Sequence, residues 1–239
     1  MKKTHIAWAA IGFMLAIYVL RLWAWNFART GAVEQLIFRR EAFFEFLGQL
    51  AWLLAAVIYV LLLVRIRKTP GMGHQRAWLV ILAAVALFAF GEESSWGQHM
   101  LDFDTPEEIE EINIQKEANV HNLNIAQILG MDPGNPLYSY LEDASVLMSP
   151  LFFLGCYALY FFLPMMKGWK RISGFAFVRR TVITNAAVIF LGFNLVAYFV
   201  MERLVPEADE LYETALAIGV FLSAWDTKAS WKALQERTE

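Results

Sequence analysis

Apolar residues along this chain arrive in blocks of about twenty, separated by short stretches that carry most of the charge. A block of about 20 residues at 1.5 Å per residue crosses a hydrocarbon core of about 30 Å. Helix is the one open-edged structure that satisfies its own backbone in lipid. The blocks predict six spanning helices, near 5–25, 43–65, 76–98, 144–166, 178–202 and 211–227. The expected fold class is all-α, a polytopic membrane bundle of about six transmembrane helices forming a single domain over 1–239. The first block, "MKKTHIAWAAIGFMLAIYVL", resembles a signal peptide at its start. Its apolar run is long and no small-x-small cleavage site follows, so it reads as a retained helix.

The longest polar interval, 101–143, has its own pattern. Within it, "DTPEEIEEINIQKEANVHNLNIAQILG" places Thr105 as a helix N-cap, Pro106 at the first helical position and Glu108 three residues after the cap. That is a capping-box signature. Ile109, Ile112, Leu123 and Ile128 supply a patchy apolar face, and "GMDPGNP" stops the run. The pattern predicts an extra amphipathic helix near 106–129 in a long outer loop.

Charge sets the expected orientation. Lys2 and Lys3, the Arg65–Arg76 loop, and Lys167 to Arg180 are basic, and cytoplasmic segments are rich in Lys and Arg. Residues 101–143 carry ten Asp or Glu and only Lys116. The first loop, with Arg29, Arg39 and Arg40, dissents from the alternation. Both termini are therefore expected in the cytoplasm, with the acidic loop outside, as in a bacterial inner-membrane protein. Tryptophans 8, 23, 25, 78, 96 and 169 near block ends read as interfacial anchors.

Composition supports the membrane reading. The chain is 58% hydrophobic and 18% charged, against about 25% charged in soluble domains. No basic stripe with interleaved aromatics points to nucleic acid. The single cysteine, Cys156, excludes an intrachain disulfide and any CxxC motif.

Candidate chemistry collects at the outer block ends. Glu92 and His99 are seven residues apart in the third block. Glu117 and His121 are four apart in the expected loop helix, and either spacing shares one helical face. Glu41, Glu45, Glu142, Asp143 and Glu202 sit at other outer ends. Carboxylates in hydrocarbon cost about 2.5–3.5 kcal/mol each on insertion scales, so something must offset them.

Three readings stay open. Glu92, Glu93, His99, Glu117 and His121 offer oxygen and nitrogen ligands for a divalent metal ion, zinc or iron/manganese, that would activate water. Without metal, Glu92, Glu93 and Glu117 are catalytic candidates in an acid–base site with histidine, and Ser94 or Ser95 a candidate nucleophile. The bland reading is a hydrogen-bonded network of Glu92, Gln98, His99, Asn119 and Asn122 that pins the loop. Asn185 and Asn194 within blocks read as bonding to neighbouring helices.

"EESSWGQH" and "NIQKEANVHNL" resemble a group of uncharacterised bacterial integral membrane proteins. These carry Glu-Glu-x-Ser-Trp-Gly-Gln followed by Asn-x-Gln-x-Glu-x-Asn-x-His-Asn. The matching positions are Glu92, Glu93, Ser95, Trp96, Gly97 and Gln98, then Asn113, Gln115, Glu117, Asn119, His121 and Asn122. This resemblance covers about thirty residues and implies no known activity. The Glu-Glu pair also faintly resembles the CAAX-type prenyl-protein endopeptidases, which have Glu-Glu-x-x-x-Arg; here Gly97 takes the Arg position, and only His121 lies far enough downstream.

The leading expectation is a membrane-embedded enzyme with an outward-facing carboxylate/histidine site, performing metal-assisted hydrolysis or transfer on a lipid or lipid-linked substrate. The alternatives are a non-catalytic subunit or assembly factor, with a protein partner at the acidic loop, and a proton-coupled transporter.

Overall fold

The computed structural model describes residues 3–27, 43–166, 185–204 and 209–235. The chain forms two compact units, Met1–Leu87 with Leu159–Glu239, and Phe88–Ala158. Among the described residues every regular element is a helix. Four are long and apolar enough to cross a membrane: His5–Ala24, Phe43–Ile66, Gly73–Glu93 and Ser145–Met165. The stretch Ala187–Met201 is apolar but shorter, and residues 178–184 of the expected fifth block lie outside the described residues.

The first unit is built from α1 (Lys3–Phe27), α2 (Phe43–Ile66), most of α3 (Gly73–Glu93), and two later helices. We number the elements between these in chain order below, so the later two are α10 (Asn185–Leu204) and α11 (Asp209–Gln235). α11 packs most extensively on α2, then on α10, and α1 lies against α10. Met14, Phe44, Phe190, Leu211, Ala215 and Leu222 form the core between them. Polar groups buried in this unit bond between helices, as expected where no water competes. Tyr18 Oη donates to Asn194 Oδ1 at 2.9 Å, and Asn194 Nδ2 to the Tyr212 carbonyl at 3.3 Å. Thr214 Oγ1 donates to the Phe44 carbonyl at 2.8 Å. Asn194 thus bonds to two neighbouring helices; the side chain of Asn185 lies outside the described residues. Trp8 and Trp23 are exposed, but Trp78 is fully buried and serves the core, not an interface.

The second unit carries the end of α3, a 3₁₀ turn at Ser95–Gly97, and α4 (Gln98–Leu101). Three single-turn helices follow: α5 (Glu107–Glu110), α6 (Ile125–Ile128) and α7 (Tyr138–Leu141). Its last element is α8 (Ser145–Tyr157); the chain continues into the first unit through π-helical Ala158–Phe162 and α9 (Leu163–Met165). Asp143 Oδ1 accepts from the Ser145 amide at 2.8 Å and so starts α8.

The expected amphipathic helix over 106–129 does not form. Only α5 and α6 are helical there, and an isolated antiparallel bridge joins Asn113 to Leu123. The Ile114 amide donates to the Asn122 carbonyl at 2.9 Å, and the Asn124 amide to the Ile112 carbonyl at 2.7 Å. The reason is side-chain competition for the backbone. Asn113 Oδ1 accepts from the Gln115 amide (3.0 Å) and the Glu117 amide (3.1 Å), groups a helix would turn toward carbonyls. Lys116 adopts φ +59, which no right-handed helix allows. Thr105 does not cap: its hydroxyl donates to the Lys116 carbonyl at 2.7 Å and accepts from Gln98 Nε2 at 2.8 Å. Pro106, with ψ 137, takes the cap position instead.

The seam between α10 and α11 is tight at Gly219. A Cβ there would lie 2.5 Å from Leu191 Cδ2 and 2.9 Å from Leu191 Cγ. Gly219→Ala is therefore expected to destabilise the first unit by about 1–3 kcal/mol through overpacking. Thermal unfolding in detergent checks this, and an unchanged midpoint would refute the close approach.

Candidate functional site

The site is built where α3 stops. Ser94 ends the helix by folding its hydroxyl back, with Oγ donating to the Phe90 carbonyl at 2.7 Å. The next three residues are all left-handed: Ser95 (φ 45), Trp96 (φ 54) and Gly97 (φ 86). Gly97 adopts this region freely, whereas Ser95 and Trp96 are each strained by about 1–3 kcal/mol. The turn folds the Trp96 ring back over Gly91. A Cβ at Gly91 would meet that ring at 2.8 Å, so only glycine admits the packing. Trp96 Nε1 then donates to Glu92 Oε1 at 2.8 Å.

Glu92 is 7% exposed, and its second oxygen gathers the loop. Oε2 accepts from the Val120 amide at 2.9 Å, the His121 amide at 3.0 Å, and lies 3.2 Å from His121 Nδ1. Two successive backbone N–H groups aimed at one carboxylate form an anion nest. An ionised carboxylate only accepts, so Nδ1 carries the hydrogen and Nε2 is the ring atom left for exchange. The His121 side chain is 33% exposed.

A second carboxylate lies beside the first. Ser95 Oγ donates to Glu117 Oε2 at 2.6 Å, and Asn119 Nδ2 donates to the same oxygen at 2.7 Å. Asn119 Nδ2 also lies 3.2 Å from Ser95 Oγ, while Asn113 Nδ2 donates to the Asn119 carbonyl at 2.9 Å. Gln98 Oε1 accepts from the Ala118 amide at 2.9 Å. Glu92, Ser95 and Gln98 thus each hold a different part of segment 117–121.

Burial disfavours protonation of His121, but the hydrogen bond to Glu92 and the charges of Glu92, Glu93 and Glu117 outweigh it. The pKa of His121 is raised above the ordinary histidine value. Glu92, Glu93 and Glu117 therefore all act on His121 within this unit. The side chain of His99 lies outside the described residues. Of the other acids singled out, Glu45 Oε1 accepts from Gln49 Nε2 at 3.2 Å in the first unit, and Asp143 Oδ1 accepts from the Ser145 amide in the second. Glu41 and the Glu202 side chain lie outside the described residues.

Among the described residues no group of three or more His, Cys, Asp or Glu side chains is placed to hold a metal ion. The Glu92 oxygens face N–H groups of Trp96, Val120 and His121. Sequence reasoning named Gln98 and Asn119 as members of a network here but missed how Asn113 fixes the loop backbone. The alternating run Asn113, Asn119, Asn122 and Asn124 was its available signal, since asparagine favours turns that bond their own backbone.

Two outcomes follow for this network. Glu92→Gln replaces an acceptor with a donor facing two amides, so a charge-assisted pair worth about 1.5–3 kcal/mol is lost. Hydrogen exchange at Val120 and His121 should accelerate at least about tenfold; unchanged protection there would remove Glu92 from its anchoring role. The pH dependence has a definite sign. With a raised folded pKa, the stabilisation from His121 is complete below the unfolded value of about 6.5 and is lost as pH rises through the folded value. The stability difference between wild type and His121→Gln should be largest below about pH 6.5 and shrink as pH rises through the raised folded value. A difference that is flat with pH would mean that His121 is not coupled to its carboxylates.

No protein-family model, no curated protein and no solved structure matches this chain, so the site is interpreted from its own chemistry.

Proposed function

We propose that this is an integral membrane enzyme whose second unit performs acid–base chemistry, hydrolysis or group transfer, on a lipid or lipid-linked substrate. His121 is the proton donor and acceptor through Nε2. Glu92 fixes its tautomer and orientation, and Glu93 and Glu117 bias it toward the protonated form. In this reading all six helical blocks span, the termini are cytoplasmic, and the Glu92 end of α3 faces outward in a bacterial inner membrane. The basic segments 65–76 and 167–180, against the acidic interval 101–143, support that orientation.

One observation carries the reading. A histidine whose Nδ1 lies 3.2 Å from a buried carboxylate keeps a third of its side chain exposed. This is the arrangement of a base oriented by a third group, as general acid–base catalysis requires. A purely structural histidine gains nothing from that exposure. The metal-free form is favoured over a metal-assisted one because the Glu92 oxygens are occupied by N–H donors.

A second reading, a non-catalytic subunit that docks a protein partner, is supported by apolar side chains among the loop acids. Leu101, Leu129, Leu137 and Tyr140 are all more than half exposed.

The test uses the full chain in nanodiscs with the total lipid extract of its expression host, followed by mass spectrometry of the products. Wild type should convert at least one lipid class, and His121→Gln should slow that conversion by at least about 100-fold. Conversion unaffected by His121→Gln, or no conversion across the extract together with a stoichiometric co-purifying protein, would favour the docking reading.

A further inference from the structure

The acid–base reading names a proton carrier but no nucleophile. We propose that Ser95 is that nucleophile, activated by Glu117, and that the reaction passes through a covalent acyl-serine. The substrate class is then an acyl ester of a lipid. This inference rests on the proposed function above and narrows it.

Ser94 and Ser95 adjoin in sequence but differ in use. Ser94 Oγ is spent on the Phe90 carbonyl of its own helix, as is usual for a serine in a spanning helix. Ser95 Oγ instead donates to a carboxylate, Glu117 Oε2, at 2.6 Å, the short distance of a charge-assisted O–H bond. That bond removes the proton's alternatives and points it at a base. Asn119 Nδ2 holds both partners, at 2.7 Å from Glu117 Oε2 and 3.2 Å from Ser95 Oγ, so the pair is fixed from the side. A base oriented by a third group is the recurring signature of an activated nucleophile.

The backbone adds an independent observation. Ser95 and Trp96 both have positive φ although neither is glycine. A chain needing only to leave a helix does so with one left-handed residue, for which glycine is cheapest. Here two strained residues precede Gly97, and the strain places Ser95 Oγ off the helix and onto Glu117. Ser95 is 2% exposed, so access to it is read directly in the test below. Trp96, the next residue, is half exposed.

The step balances. Oγ bonds to the ester carbonyl carbon as its proton passes to Glu117 Oε2. The ester C–O bond breaks, and the leaving alkoxide takes a proton from the His121 imidazolium. Water then cleaves acyl-Ser95: its proton goes to His121 Nε2, its oxygen to the acid product, and Glu117 returns a proton to Oγ.

The test reads the covalent step without needing turnover. The full chain in nanodiscs is treated with an alkyl fluorophosphonate, and intact mass and peptide mapping follow the adduct. One adduct per chain, at Ser95, is expected. Ser95→Ala should abolish it. Glu117→Gln should slow it by about 100-fold and Glu117→Asp should restore part of the rate. Ser95→Cys, treated with a small alkylating reagent, reports access to the position if the alanine variant unfolds. No adduct at Ser95 in protein whose Ser95→Cys form is alkylated overturns the proposal, as does labelling indifferent to Glu117→Gln. Loss of lipid turnover in His121→Gln with Ser95 unlabelled overturns the nucleophile while leaving the acid–base reading intact. Labelling at Ser95 with no lipid turnover supports the nucleophile and tells against the lipid substrate.

Discussion

The second unit depends on one buried carboxylate. Glu92 sits at the end of a long apolar helix, 7% exposed, where an ionised group without partners would be untenable. Its solution is to recruit donors from two separate segments further along the chain. The Trp96 indole comes from the turn that follows, and the amides of Val120 and His121 come from twenty-eight and twenty-nine residues on. The dependence is mutual. Segment 117–121 has no regular ladder to satisfy its own N–H groups, so without Glu92 two of them would be orphaned. Helix end and loop therefore form as a pair, and the loop's irregular backbone is a consequence of the charge it serves.

Sequence pattern reached the helices by a different route from the site. Apolar blocks are set by the thickness of a bilayer, which imposes length and composition on each block separately. Among the described residues helix is found within each of the six blocks, and four helices meet the length and apolarity of a span outright. The loop defeated the same reasoning. Thr105, Pro106 and Glu108 carry a helix-start signal, yet the helix lasts only Glu107–Glu110. Local propensity there is worth tenths of a kcal/mol per residue. It is outweighed when Asn113 takes two backbone amides and Thr105 bonds to Lys116 and Gln98. Those bonds join residues distant in pattern, and no periodicity announces them.

Glu92, Glu117 and His121 illustrate the difference. Helical spacing selected Glu117 and His121 as neighbours on one face. They are neighbours of the same site because a hairpin with Lys116 in a left-handed conformation turns both toward the end of α3. The residue types were legible, since ionisable groups beside hydrocarbon are costly and few. The geometry was not, and neither was the part taken by Asn119, whose amide ties Ser95 to Glu117.

The strain in the turn fits the same picture. Left-handed Ser95 and Trp96 are each unfavourable alone, and the surrounding bonds hold them. Trp96 is held by its packing over Gly91 and by its bond to Glu92; Ser95 is held by Glu117 and Asn119. Both restraints run through the two carboxylates. A change in the charge of either carboxylate would therefore be felt first at the turn and at the His121 ring. Electrostatics and backbone conformation are thus coupled within a few residues. That coupling fixes a histidine with Nδ1 committed to Glu92 and a third of its side chain exposed.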